Sequence, residues 1–227
     1  SAASDVYKRQ DLARPEVEKA VATAYALLAR MDEIFSTWSP DSQVSRLRRG
    51  ELALSDCDPL VHQAARIGGQ AEELTSGAFT TLLPDADGMP RFDPTGLVKG
   101  WAVDLAGDEL RGLPGVSGCI NAGGDVRAGR HQHGAPTGED AKAWRIGIGN
   151  PYDRSQIARV VPLTDGAVAT SGTAASVMIV AAAAPFACQS GIKKQFSAIL
   201  IIAALMVATR YALCFPVSYT NLRAHET

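Results

Sequence analysis

The order of the hydrophobic patterns along the 227 residues constrains the fold more than any other feature. In the first half of the chain, apolar residues recur in steps of three and four, as they do on one face of a helix. In the second half they form short runs rich in Val and Ile that turn residues separate, as in strands. Helices first and strands afterwards predict an α+β domain.

Two helices are predicted in the N-terminal quarter. The first runs from Pro15 to Phe35 and has one apolar face. A polar stretch then interrupts the pattern, and Ser42 can cap a short second helix that ends before Gly50. The basic residues of this second helix predict a solvated face: Arg46, Arg48 and Arg49.

Two further helices follow. Asp58 and Pro59 are residue types favoured at the N-cap and the first helical position, so a third helix is predicted from there towards Thr75. Its predicted core stripe is Leu60, Ala64, Ile67, Ala71 and Leu74. After a loop-rich tract of Gly and Pro, a fourth helix is predicted to start near Thr95. Its apolar positions are Val98, Ala102, Leu105 and Leu110.

The strands are predicted where Val and Ile cluster between turn residues. They are Val116 to Val126, Trp144 to Ile148, Ile157 to Leu163 and Ala167 to Thr170. Asn121 to Asp125 fits either a Gly-Gly turn that ends a strand or a close approach of the backbone to a ligand.

Composition excludes several classes of protein. An apolar content of 46% with 20% charged residues is that of a folded globular protein. A formal net charge of −2 argues against a nucleic-acid-binding protein, which needs a basic surface. The four cysteines form no CxxC pair, so buried free thiols are expected. His131 and His133 have the spacing of metal ligands, but their polar loop predicts solvated side chains.

The two ends of the chain differ from its middle. The N-terminal residues are polar and show no export signal, and we interpret the chain as a fragment. Phe196 to Thr209 is almost continuously apolar, which fits a buried helix, a membrane segment or residues not native to the gene. We therefore predict one domain over residues 11–180 and a doubtful tail over residues 181–227. The compartment stays open.

The segment from Asp93 to Asp104 has the composition of a nucleotide-binding site. It places a carboxylate, a tight turn, the start of a helix and Lys99 within one short span. A helix N-terminus carries free N–H groups and a partial positive charge, and the lysine adds a full charge, so phosphate is the expected ligand. Taken alone, Asp93 and Lys99 also fit a helix cap and a surface lysine.

Several blocks of this sequence resemble one family, the FAD:protein FMN transferases (ApbE-like flavin transferases). The resemblance keeps its order and spacing from about Val17 to Gly172. The blocks are Phe35 to Leu47, Ser76 to Thr80, Asp93 to Asp104, Asn121 to Val126, Trp144 to Ile148 and Val168 to Gly172. The resemblance implies N-terminal helices followed by a mostly antiparallel sheet, here truncated at the C-terminus.

The family's activity is implied in the same way. Its members bind FAD with Mg²⁺ and transfer FMN to a threonine or serine hydroxyl of an acceptor flavoprotein, releasing AMP. Some members hydrolyse FAD to FMN and AMP instead. Family members are often found in the cell envelope, so membrane contact is expected only through an acceptor or through a lost N-terminal anchor.

The resemblance also assigns site residues position by position. Trp38 matches the aromatic residue beside the cofactor, and Asp93 and Lys99 match polar contacts to FAD. The loop that lines FAD corresponds to Ala78, Phe79 and Thr80. Gly96 stands where a backbone carbonyl binds Mg²⁺, in keeping with oxygen ligation of this ion. No catalytic residue is assigned.

The sequence departs from the family at three places. Thr80 replaces the usual aspartate. The H-x-x-D-P-x-T-G block is missing, although Ala175 to Val180 resembles the strand that follows it. We also find no match to the last motif, which supplies Asp and Thr ligands to the metal. A non-catalytic flavin-binding fragment is therefore a further alternative.

Overall fold

The computed structural model describes residues 14–111, 113–114, 116–130, 143–149, 155–173 and 176–183. Its helices are α1 (Pro15–Phe35), α2 (Gln43–Arg48), α3 (Pro59–Leu74) and α4 (Thr95–Arg111), with a short 3₁₀ turn at Leu54–Asp56. Its strands are β1 (Leu82–Pro84), β2 (Pro90–Phe92), β3 (Ser117–Ala122), β4 (Asp125–Arg130), β5 (Trp144–Gly149), β6 (Ile157–Leu163), β7 (Gly166–Thr173) and β8 (Ser176–Ala183). The predicted α+β class, with helices before strands, is confirmed.

The N-terminal helices begin where their capping residues predict. Ser42 caps α2 by accepting a hydrogen bond from the Ser45 amide at 3.1 Å. The Asp58 side chain caps α3 by accepting one from the Leu60 amide at 2.8 Å. Each cap satisfies a backbone donor that the helix itself leaves without a partner.

The core stripe of α3 differs from the prediction at its ends. Ala64, Ile67 and Ala71 are buried as predicted, but Leu74 is 58% exposed. Val61 and Gly68 are buried with them. The buried face of α3 is therefore rotated from the predicted stripe towards Val61 and Gly68 and does not include Leu74.

Helix α4 lies at the centre of the molecule. It packs against α1 on one side and against β3 and β4 on the other. The ring of Trp101 meets that of Phe35 on α1 edge to face, with 6.1 Å between the ring centroids. Ala106 packs with Ile120 of β3 in a separate apolar cluster. Because two sides of α4 are covered, it buries more positions than the single predicted stripe.

The largest sheet has the strand order β3-β4-β7-β8, with antiparallel pairing throughout. Two antiparallel pairs, β5-β6 and β1-β2, complete the described strands. The predicted strand from Val116 to Val126 is in fact two strands joined by Gly123 and Gly124. These glycines have φ values of +58° and +98°, which fit a type I′ hairpin turn. The first two strands were missed because three-residue strands lack a readable alternation.

Strand β4 presents different chemistry on its two faces, as period-two alternation requires. Val126 and Ala128 pack against Ile146 of β5 and Leu163 of β6. Arg127 faces the opposite side, where its Nε lies 3.2 Å from Asp104 Oδ1 of α4. Its Nη1 lies 2.9 Å from Asp165 Oδ1. This buried ion cluster joins α4 to the sheet.

Strand β8 runs from Ser176 to Ala183, and the predicted domain bounds stay a prediction. The predictions for His131, His133 and the apolar tail lie outside the described residues. Within the residues described, no helix is long and apolar enough to cross a membrane.

Candidate functional site

Asp93 is fixed at the N-terminus of α4 by three donors. Its Oδ1 accepts hydrogen bonds from the Thr95 amide at 3.1 Å and the Thr95 hydroxyl at 2.6 Å. Its Oδ2 accepts one from Arg48 of α2. The Asp93 side chain is 14% exposed. Asp93 is therefore both a cap for α4 and the acceptor of an ion pair that joins two helices.

Arg48 corrects one prediction from the sequence. It was predicted to lie on a solvated face, but its side chain is only 20% exposed and its guanidinium contacts the Asp93 carboxylate. It also lies 3.7 Å from Asp85. In sequence Arg48 is one of several neighbouring arginines, so nothing local distinguishes it from its exposed neighbour Arg49.

The loop predicted to line FAD lies directly beside Asp93. The Asp93 amide donates to the Thr81 carbonyl at 2.7 Å. The turn before this loop places Ser76 and Gly77 at φ values of +51° and +77°. The Thr75 hydroxyl oxygen then accepts from the Phe79 amide at 3.0 Å. The structure thus brings the second and third sequence blocks together.

The three loop residues differ in exposure. Ala78 and Thr80 are half-buried, whereas Phe79 is 2% exposed. Phe79 belongs to the main helical core, and a Cβ built on Gly96 would lie 3.4 Å from its Cε2 atom. The Phe79 ring therefore packs close to the first turn of α4 at Gly96. Its predicted contact with FAD stays a prediction and would have to be made without moving this ring.

Gly96 is the second residue of α4. In an α-helix its carbonyl accepts a bond from the amide four residues later, which leaves one lone pair for another partner. The described residues contain no group of three or more His, Cys, Asp or Glu side chains that could hold a metal ion. A single carbonyl is too small a ligand set for Mg²⁺, so we assign no catalytic step to the ion.

Lys99 lies one turn into α4 and reaches the turn between β3 and β4. Its Nζ is 2.9 Å from Asp125 Oδ2 and donates to the Gly123 carbonyl at 3.4 Å. The Asn121 side chain accepts from the Gly124 amide at 3.0 Å, which supports the turn. Asp93 and Lys99 therefore have different ionic partners, although the sequence places them six residues apart.

Trp38 lies in the loop between α1 and α2, and its side chain is 95% exposed. Phe35 at the start of this loop is buried, and the Ser36 carbonyl accepts from the Ser45 hydroxyl at 3.3 Å. Both ends of the loop are thus anchored while the indole stays in solvent. A fully exposed indole is available for stacking, and its predicted place beside the cofactor stays a prediction.

The fold and these elements define an ApbE-type α+β domain. An ApbE protein of Thermotoga maritima matches with 16% identity and a TM-score of 0.64, over 92% of this chain and 89% of that chain. The flavinyl transferase ApbE of Pseudomonas stutzeri matches with 18% identity and a TM-score of 0.58, over 90% and 84%. The flavin transferase ApbE of Vibrio cholerae matches with 17% identity and a TM-score of 0.56, over 92% and 86%.

A sequence match agrees with these structural similarities. Residues 83–183 match the model of the ApbE family, and this segment contains the Asp93 block, α4 and all strands from β2 to β8. The resemblance to ApbE-like flavin transferases is thereby confirmed. A comparison with curated protein sequences gives no match.

Proposed function

We propose that this protein transfers FMN from FAD to a threonine or serine hydroxyl of an acceptor flavoprotein. The ApbE match and the names of the flavin transferases with the same fold support this proposal. The observation that carries it is the convergence of three matched blocks at the N-terminal half of α4. Asp93 contacts the 78–81 loop there, and Lys99 contacts the turn at Gly123.

The site has the charge that a pyrophosphate needs. The N-terminus of α4 contributes a partial positive charge, and Lys99 contributes a full charge at the end of a side chain that is 51% exposed. In the transfer, the acceptor oxygen bonds to the flavin-side phosphorus and the bond from that phosphorus to the bridging oxygen breaks. AMP leaves, and the hydroxyl proton is released. Lys99 would offset the charge on the phosphate oxygens.

We assign FAD contacts to Trp38, Ala78, Phe79, Thr80, Asp93 and Lys99, and a metal contact to the Gly96 carbonyl. Mg²⁺ is the proposed cofactor, and when bound it would neutralise phosphate charge. FAD itself would have to bring phosphate oxygens to the ion, since the described residues offer only the Gly96 carbonyl.

The test is incubation of the protein with FAD, Mg²⁺ and a flavoprotein that carries a flavinylation site. Mass spectrometry should show that the acceptor gains the mass of FMN, and no gain would refute the proposal. Free FMN in the absence of acceptor would identify an FAD pyrophosphatase instead. Binding of FAD without either product would identify a non-catalytic flavin-binding protein.

A matched pair of variants connects the reaction to the site. Lys99→Ala should weaken FAD binding because it removes the ammonium beside the helix N-terminus. Lys19→Ala is the control, since it removes an exposed lysine of α1 outside this site. If the two variants bind FAD with equal affinity, Lys99 makes no contribution to FAD binding.

A further inference from the structure

The ammonium of Lys99 is not free in the structure. It lies 2.9 Å from Asp125 Oδ2 and 3.4 Å from the Gly123 carbonyl oxygen. The Asp125 side chain is 13% exposed, whereas that of Lys99 is 51% exposed. The Asp125 carboxylate is therefore largely covered, whereas the Lys99 side chain that pairs with it is half exposed.

The carboxylate has a fixed position because the hairpin fixes it. Asp125 is the first residue of β4 and pairs with Ala122 of β3 directly across the two-glycine turn. The Asn121 side chain closes this turn by accepting from the Gly124 amide. A Cβ on Gly123 would lie 3.6 Å from Lys99 Nζ, so any side chain at this position would contact the ammonium.

We propose that Asp125 is a positioning residue that orients Lys99 towards the pyrophosphate of FAD. An ammonium has three N–H donors. One faces Asp125 and one faces the Gly123 carbonyl, so the direction of the third is fixed and is offered to a ligand oxygen. The inference rests on the proposed function, because FAD is the ligand that Lys99 would receive.

The pairing also lowers the entropic cost of binding. A lysine side chain is long and flexible, and a ligand that binds it must normally immobilise it. Here the ion pair with Asp125 already restrains it. Removing Asp125 would leave the charge of Lys99 in place but release its position, so the loss of affinity would come through Lys99 and through no contact of Asp125 with FAD.

The test is a double-mutant cycle read by FAD titration at constant salt. Asp125→Asn keeps the shape of the side chain and removes its charge, and it should weaken FAD binding on the order of tenfold. In a Lys99→Met background the same substitution should change affinity less than about twofold. Asp108→Asn is the matched control, since Asp108 pairs with Arg111 at the other end of α4.

Asp125→Glu, which keeps the charge but moves the carboxylate, provides a second measurement. A positioning role predicts the affinity order Asp, then Glu, then Asn, because charge matters more than shape. A purely structural role predicts that Asn is tolerated better than Glu. That reversed order, or an equal effect of Asp125→Asn with and without Lys99, overturns the inference while the proposed function stands. Failure of the wild-type protein to bind FAD overturns the proposed function, and the inference with it.

Discussion

Arg48 on α2 donates a hydrogen bond to the carboxylate of Asp93, 45 residues later in the chain. Both side chains are largely covered, with 20% and 14% of their surfaces exposed. The pair therefore joins the second helix to the start of the fourth and holds the carboxylate in the candidate site. It also joins the residue that follows the Phe35–Leu47 block to the first residue of the Asp93 block.

Removing this arginine should destabilise the protein. Arg48→Met keeps most of the aliphatic stem and leaves the Asp93 carboxylate without its cation, so we expect the free energy of unfolding to fall by about 1–2 kcal/mol. The control is Arg49→Met, because Arg49 pairs with Glu51 at an exposed position. Urea denaturation measures both. Equal effects of the two substitutions would show that the Arg48 pair contributes no more than a surface pair.

Two adjacent glycines of α3 should respond in opposite directions to alanine. A Cβ on Gly68 would lie 2.6 Å from the Thr81 Cγ2 atom. Because Thr81 is only 5% exposed, its side chain has little room to move away from the added methyl group. We expect Gly68→Ala to cost about 1–3 kcal/mol. A Cβ on Gly69 meets nothing within 4 Å. Gly69→Ala should therefore stabilise α3 by roughly 0.5–1 kcal/mol.

Thermal and urea unfolding of the two alanine variants provide the comparison. Because helix propensity is the same at both positions, the difference between them isolates the contact with Thr81. Similar stability for the two variants would contradict the close approach of α3 to the loop before β1.

The Asp58 carboxylate should make stability depend on pH in the acidic range. The pKa of Asp58 is lowered chiefly because its carboxylate accepts from the Leu60 amide, and the Arg30 guanidinium lowers it further. A lowered native pKa stabilises the fold above the ordinary aspartate value of about 4, and this contribution disappears as the pH falls through the native pKa.

Asp58→Asn separates the charge of this residue from its cap. Asparagine caps helices about as well as aspartate, but it cannot pair with Arg30, which lies 2.7 Å from the Asp58 Oδ2 atom. We expect the variant to be less stable than wild type at pH 7 and to approach it at pH 3. A difference that is the same at both pH values would contradict the predicted role of the charge.

Cys119 should be unreactive in the native state. Cys119 is half-buried on β3, and the loss of solvent around its thiol raises the pKa to about 11, so almost no thiolate is present at pH 8. Since the native pKa lies above the ordinary value, the folded state is favoured below about pH 9 and loses this advantage between about pH 9 and 11. Cys119→Ala should remove that alkaline loss.

The measurement is alkylation by iodoacetamide at pH 8 followed by peptide mass analysis, with unfolding at pH 8 and pH 10 for wild type and Cys119→Ala. Rapid modification of Cys119 in the folded protein would contradict the raised pKa of its thiol. The alanine variant serves as the control for the other groups that titrate in this range.

Local sequence determined the helices, the fold class and the order of the blocks. Caps such as Ser42 and Asp58, and the stepwise recurrence of apolar residues, act within one or two turns, so they can be read without the rest of the chain. The resemblance then named the site residues, and the match of residues 83–183 to the ApbE family model supports that resemblance. The exposure of Leu74 at the end of α3 was missed because burial depends on where other elements pack, which apolar periodicity alone does not specify.

Only the tertiary structure decided which charges meet. Asp93 and Lys99 are six residues apart, yet Asp93 pairs with Arg48 and Lys99 pairs with Asp125. These partners come from a separate helix and a separate hairpin, and pairing between them depends on how α4 packs against each. Ion pairs between distant segments leave no periodic trace in a sequence, so their partners become visible only when packing has set the distances.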